Sequence, residues 1–319
     1  MPIKTKILKI LPIWLTCLIV ISAIQPMVFL LDPTPPLAKI AAPKPIAPEV
    51  LGAATSIRGS GTATTDSLIK QISQPDLSGI SSKSFVVFDL ASGQNLVEKN
   101  PDDKLSVASL TKLLTALVAY QNINLNQTIT ITPKDLLDVK PNLGFAAGEK
   151  IKALDIFNAM LVGSCNDAAL ALANHTAAIT GQEFVSLMNQ QAAGLGMLGS
   201  KFSNPMGFDS VNNYSTASDI KTLISAVENL AVFKDLGRKT TYSFTSLNGR
   251  DYSTTATNTL LKSHPELEAI KTGYTAGASG AMATKISLNG NDIVILVLDS
   301  QDRAGDTLKL ENLVVSNFQ

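Results

Sequence analysis

Ala269-Ile270-Lys271-Thr272-Gly273-Tyr274-Thr275 is the stretch on which the reading of this chain turns. Its first part reads as a strand, and two more strands follow, Gly280 to Ser287 and Ile293 to Leu298. Asn289-Gly290 between them is the dipeptide that suits a tight hairpin turn. A last helix is predicted from Arg303 or Ala304, carrying Leu308, Leu310 and Leu313.

The other end of the globular region has the same character. Phe85-Val86-Val87-Phe88-Asp89-Leu90 and Asn95-Leu96-Val97-Glu98 flank the turn Ala91-Ser92-Gly93-Gln94, which predicts a hairpin. Between these strand regions, Ser109 to Leu195 is read as a helical block: Leu110, Leu113, Leu114 and Leu117 fall at helical spacing, as do Ala168, Leu172 and Ala173. Strands from both ends of the chain with helices inserted between them predict an α+β fold, one antiparallel sheet flanked by helices with a helical subdomain. No internal repeat is evident.

Lys271-Thr272-Gly273 occurs once, and it follows a Ser-x-x-Lys at Ser109/Lys112 and a Ser-x-Asn at Ser164/Asn166. Singly these patterns are weak. Ser-x-x-Lys recurs at Ser67/Lys70 and Ser218/Lys221, and Ser-x-Asn at Ser210/Asn212, Ser246/Asn248 and Ser287/Asn289. The ordered set has a chemical logic. A serine hydroxyl attacks poorly at neutral pH without a base within reach. If Ser109 begins a helix, Lys112 returns to the same face one turn later. Its amine accepts a proton only when partly neutral, which burial and a second cation favour, and Lys271 is the natural second cation. Ser164 and Asn166 are placed in a turn between two helices, where both residue types also cap well.

These motifs, together with Leu105 to Leu117, Asn166 to Ala169, Phe202 to Asp209, Tyr214 to Asp219 and Lys271 to Thr275, carry a family likeness. From about Ser81 to Ser316 the chain resembles the serine-type D-alanyl-D-alanine carboxypeptidases, the low-molecular-mass penicillin-binding proteins. The resemblance implies a β-lactamase/DD-peptidase-like fold and an acyl-enzyme on Ser109, with Lys112 as base and Ser164 passing a proton to the leaving amine. It implies that Asn166 binds the substrate amide, that Lys271 and Thr272 bind its terminal carboxylate, and that the N–H groups of Ser109 and Tyr274 form the oxyanion hole. Gly273 would leave room for a substrate backbone along the strand. Arg303 stands where the family places a basic residue near the carboxylate, against the alternative of a solvated loop arginine.

The substrates so implied are peptidoglycan stem pentapeptides, with β-lactams as covalent inhibitors. Two other enzyme readings share the motif order. One is a DD-endopeptidase that cuts cross-links, suggested by a chain that ends soon after the last helix, without the further β-domain of many relatives. The other is a class A β-lactamase, disfavoured because Lys201-Phe202-Ser203-Asn204-Pro205-Met206-Gly207 has no glutamate where that class deacylates.

Composition excludes other classes. Lys plus Arg and Asp plus Glu are equal at 26 each, so the basic excess of a nucleic-acid binder is missing. The only cysteines are Cys17 and Cys165, in different regions, so no disulfide is expected, and Cys165 is an improbable nucleophile without a suitably placed histidine. His175 reads as a packed or capped histidine. There is no metal-ligand spacing and no cofactor motif.

Lys4, Lys6 and Lys9 precede an uncharged apolar run from Ile10 to Leu31, which reads as an export signal in residues 1–31. Its length suits a membrane anchor, and Ser22-Ala23 offers a cleavage site. Either way the rest of the chain is placed outside the cytoplasmic membrane. Residues 32–79, rich in Pro, Ala, Ser and Thr, read as a tether with a reach on the order of 100 Å if extended. Residues 80–319 are the catalytic domain.

Overall fold

The computed structural model describes residue 72 and residues 75–317; the apolar run and nearly all of the tether expected from the sequence lie outside those residues. In chain order the elements are β1 (Ser84–Asp89), β2 (Asn95–Lys99), α1 (Thr111–Asn122), β3 (Thr128–Thr130), β4 (Lys150–Lys152), α2 (Ala153–Val162), α3 (Asn166–Thr180) and α4 (Phe184–Gly194). They continue with α5 (Ala217–Glu228), β5 (Thr241–Thr245), β6 (Asp251–Thr255), β7 (Leu267–Thr275), β8 (Ser279–Leu288), β9 (Asn291–Ser300) and α6 (Arg303–Asn317).

Five strands pair in the order β2-β1-β9-β8-β7, each antiparallel to its neighbour. The two ends of the folded region meet at β1 and β9, in register from Ser84↔Leu298 to Asp89↔Ile293. This is the α+β architecture read from the sequence. The Asn289-Gly290 turn has φ of 50° and 82° at its two residues, the positive pair that a two-residue hairpin of the favoured twist requires.

Successive side chains on a strand point to opposite faces, so the central strands feed two cores. Val86, Phe88, Val294, Leu296 and Leu298 join one core with Leu113 and Leu117 of α1, Phe157 of α2 and Ile220 and Ile224 of α5. Phe85, Val87, Ile293, Ile295 and Val297 join the other with Leu310 and Val314 of α6. Burial on both faces explains why β9 reads as an uninterrupted apolar run.

The helical block is less uniform than its periodicity predicts, because the small β3–β4 pair interrupts it and α5 extends it. The β5–β6 pair was also not anticipated. Its strands, Thr-Tyr-Ser-Phe-Thr and Asp-Tyr-Ser-Thr-Thr, are mostly polar and only partly covered, so they lack an apolar run. In α5 the pattern was present: Ile220, Leu223, Ile224 and Val227 are buried at helical spacing, and the Thr216 side chain caps the helix by accepting from the Asp219 N–H.

Leu296 is fully buried in β9. Leu296→Ala is expected to lower the unfolding free energy by about 2–5 kcal/mol, read from urea denaturation. A loss below about 1 kcal/mol would contradict its central place in the core.

Candidate active site

Ser109 lies in a short 3-10 turn, Ala108–Leu110, that runs directly into α1, so the serine and Lys112 fall one turn apart as the sequence suggested. Ala108, just before the serine, has φ of 46°, a left-handed conformation that costs a non-glycine residue roughly 1–2 kcal/mol. Two glycines hold this turn in place. A Cβ on Gly207 would sit 1.9 Å from the Ala108 carbonyl oxygen, and one on Gly273 would sit 2.8 Å from Ala108 Cβ and 2.9 Å from Ser109 N. A side chain at Gly273 would therefore strike the turn bearing Ser109, a stronger constraint than the room for substrate inferred from the sequence.

Lys112 is completely buried. Its Nζ lies 2.9 Å from Ser109 Oγ and donates to Asn166 Oδ1 at 2.9 Å and to the Met206 carbonyl at 2.7 Å. The amide orientation of Asn166 is fixed independently, because its Nδ2 donates to the carbonyls of Val139 and Lys140. Among the described residues neither Lys112 nor Lys271 has a carboxylate within 4.0 Å. Burial, and then the charge of Lys271, hold the Lys112 pKa well below that of an ordinary lysine. A neutral amine has two N–H bonds and one lone pair. The two carbonyl oxygens take the N–H bonds, which leaves the lone pair for the serine hydroxyl.

Lys271 enters from β7, the outermost strand on its side of the sheet, just after a bulge between Ala269 and Lys271. Such bulges turn a side chain away from the regular strand direction. Its Nζ donates to Ser164 Oγ at 2.8 Å and to the Thr272 carbonyl at 2.9 Å. Burial brings its pKa down to about 7, with the Arg303 charge acting in the same direction. Ser164 itself has φ of 59°, and Asn166 is the first residue of α3 rather than part of the turn. Cys165 is buried, donates to Thr254 Oγ1 at 3.5 Å, and burial pushes its thiol up to about 11, which removes it as a nucleophile.

Thr272 Oγ1 contacts Thr257 Oγ1 at 2.5 Å. Arg303, the first residue of α6, donates to the Gly273 carbonyl, so it lies against the motif strand and not in a solvated loop. Tyr274 follows with its side chain 72% exposed. The structure thus brings together Ser109, Lys112, Ser164, Asn166, Lys271, Thr272, Gly273 and Arg303. It separates one competing pair, with Ser218 donating to Asp102 and Lys221 to the Gly93 carbonyl, while Ser67 and Lys70 lie outside the described residues. Met206, Gly207 and Thr257 were not named as site residues. For the first two, the matched stretch Phe202 to Asp209 was the available signal, but a backbone carbonyl and a glycine contact leave no side-chain trace.

Residues 69–302 match the D-alanyl-D-alanine carboxypeptidase family. The chain belongs to that family. Among curated members it is 28% identical over 238 residues to D-alanyl-D-alanine carboxypeptidase DacC of Escherichia coli, covering 70% of this chain. To DacF of Bacillus subtilis it is 25% identical, covering 74% of this chain. The chain spans only 57% and 63% of those two relatives' lengths. A D-alanyl-D-alanine endopeptidase of E. coli is 26% identical, with 72% of this chain and 73% of the relative covered.

Among solved structures, penicillin-binding protein D2 of Listeria monocytogenes, in its cefotaxime-bound form, matches with a TM-score of 0.64 and 27% identity over 76% of this chain and all of that one. A Streptomyces DD-transpeptidase shares the fold, with a TM-score of 0.68 and 24% identity over 74% of this chain and 98% of that one.

The buried lysine predicts a pH signature in this family member. Lys271 holds its proton less tightly when folded (pKa about 7) than at its ordinary value of 10.5, so stability rises with pH across that window. Lys271→Met is expected to be more stable than the parent at pH 6, with the advantage shrinking toward pH 10. Thermal melts at both pH values check this, and an advantage that grows with pH would refute it.

Proposed function

We propose that the chain is a serine D-alanyl-D-alanine carboxypeptidase that removes the terminal D-alanine from peptidoglycan stem pentapeptides through an acyl-enzyme on Ser109. The observation that carries this reading is the Lys112 amine, buried without a counter-ion among the described residues and within hydrogen-bond reach of Ser109 Oγ at 2.9 Å, Asn166 Oδ1 and the Met206 carbonyl. In its neutral form it can give N–H bonds to the two carbonyl oxygens and turn its lone pair to the serine.

In the proposed reaction Ser109 Oγ bonds to the carbonyl carbon of the penultimate D-alanine while its proton passes to Lys112. The N–H groups of Ser109 and Tyr274 receive the developing oxyanion. The peptide C–N bond then breaks, and the departing amine takes a proton through Ser164, whose hydroxyl Lys271 holds. Water hydrolyses the ester by the same groups in reverse. The open edge of β7 suits an extended peptide, Asn166 lies beside the base to orient its amide, and Thr272 and Arg303 supply a hydroxyl and a positive field for the terminal carboxylate. Acylation accelerates as pH rises through the lowered Lys112 pKa, because only the neutral amine accepts the proton.

Hydrolysis of penicillin is disfavoured. Asn204, in the loop where a β-lactamase would carry its glutamate, accepts from the N–H groups of Met206, Gly207 and Phe208 and so shapes the loop. The adduct should therefore persist. A DD-endopeptidase is the second reading, supported by the 26% identity to the E. coli endopeptidase over 72% of this chain. The lysines ahead of the apolar run support export to the outer face of the cytoplasmic membrane, where these substrates lie.

Incubation with penicillin is expected to add the drug's mass to the peptide containing Ser109, and Lys112→Ala to slow that step by ~100-fold to 10,000-fold with unchanged circular dichroism. Acylation of Ser218 or Cys165, or a near-parental rate in Lys112→Ala, would overturn the assignment. On digested muropeptides, pentapeptides should become tetrapeptides faster than dimers are split. Dimers split with pentapeptides intact would establish the endopeptidase reading instead.

A further inference from the structure

We propose that His264, Glu266 and Glu311 form a binding site for a divalent cation of the zinc class, outside the serine site. One ligand atom from each residue lies within 4.8 Å of those of the other two. His264 and Glu266 stand on the tight turn that enters β7, closed by the His264 N–H to the Leu260 carbonyl at 2.8 Å and the Leu267 N–H to the His264 carbonyl at 3.1 Å. Glu311 comes from α6, far away in sequence, which is why no metal-ligand spacing was legible.

Glu311 is the observation that points to a ligand. It is only 7% exposed, yet among the described residues its carboxylate has neither a hydrogen bond nor an ion pair. A largely buried side chain that ends in a carboxylate without a protein partner leaves that charge for water or a ligand to satisfy. His264 Nδ1 instead lies 2.9 Å from Glu266 Oε1. A protonated His264 would leave this group of two carboxylates with a net negative charge, and it makes no hydrogen bond to Glu311. A divalent cation bonds to all three and offsets both charges.

The donor chemistry fits. One imidazole and two carboxylates suit zinc and its first-row neighbours, with positions left for water. Zinc ligands stand about 2.0–2.2 Å from the metal, hence roughly 3.4 Å from one another around a tetrahedral centre. The His264–Glu266 pair, at 2.9 Å, would open slightly and the farther contacts would close by about 1 Å, which the exposed Glu266 and half-buried His264 allow. The bound ion would tie the start of β7 to α6. Those elements also carry Lys271 and Arg303, so it would brace the serine site without touching the reacting atoms.

The test uses the full chain, stripped with a chelator and titrated with zinc by calorimetry and thermal unfolding. One zinc per chain and a raised unfolding midpoint are expected. His264→Ala, Glu266→Gln and Glu311→Gln should each weaken binding at least tenfold and abolish the rise, with circular dichroism confirming that they fold. His175→Ala, which removes the only other histidine, should bind as the parent does. Cobalt bound to the parent should show visible absorption that Glu311→Gln lacks. Absence of zinc binding by the parent at millimolar concentration, or equal binding by the parent and the three variants, would overturn the proposal.

Discussion

The serine site depends on burying a lysine amine with no counter-ion among the described residues. Taking an ammonium out of water costs several kcal/mol, and a facing carboxylate would repay part of that while keeping the proton in place. Around Lys112 the fold supplies carbonyl oxygens from Asn166 and Met206 instead. These accept from an amine in either state, so burial is free to expel the proton, and Lys271 reinforces it. The same solution recurs at Lys271, which meets a hydroxyl and a carbonyl. Two lysines thus poised lower stability at neutral pH, a cost that the large two-sided core carries.

A second constraint is close approach. The turn bearing Ser109 is held between the loop around Gly207 and strand β7 at Gly273, and Gly163 lies where a Cβ would be 1.9 Å from Thr254 Oγ1. Each of these three glycines therefore lies against a segment remote in sequence at a distance that only glycine permits. Asp209 closes the arrangement from outside by accepting from Ser106, Thr275 and the Gly277 N–H. Carbonyls and N–H groups are positioned by this packing as firmly as side chains are.

Much of this was legible beforehand. Strands whose side chains are buried on both faces appear as apolar runs, so β1 and β9 stood out, β7 and β8 were read as strands beside them, and Asn289-Gly290 announced its turn. The half-covered polar strands β5 and β6 did not, since little apolar surface marks them. Ser109, Lys112, Ser164, Asn166 and Lys271 were recognisable because their chemistry requires those side chains in that order.

The sequence by itself determined the α+β class, the candidate site side chains and the pairing of Ser109 with Lys112, because helical spacing and side-chain chemistry are local properties. Tertiary structure alone decided that Met206 offers its carbonyl to Lys112, that Gly273 is needed against Ala108, that Arg303 reaches the motif strand, and that Glu311 faces His264. Each of these joins residues remote in sequence, often through backbone atoms that every residue type possesses. No pattern of side chains encodes such contacts until packing brings the segments together.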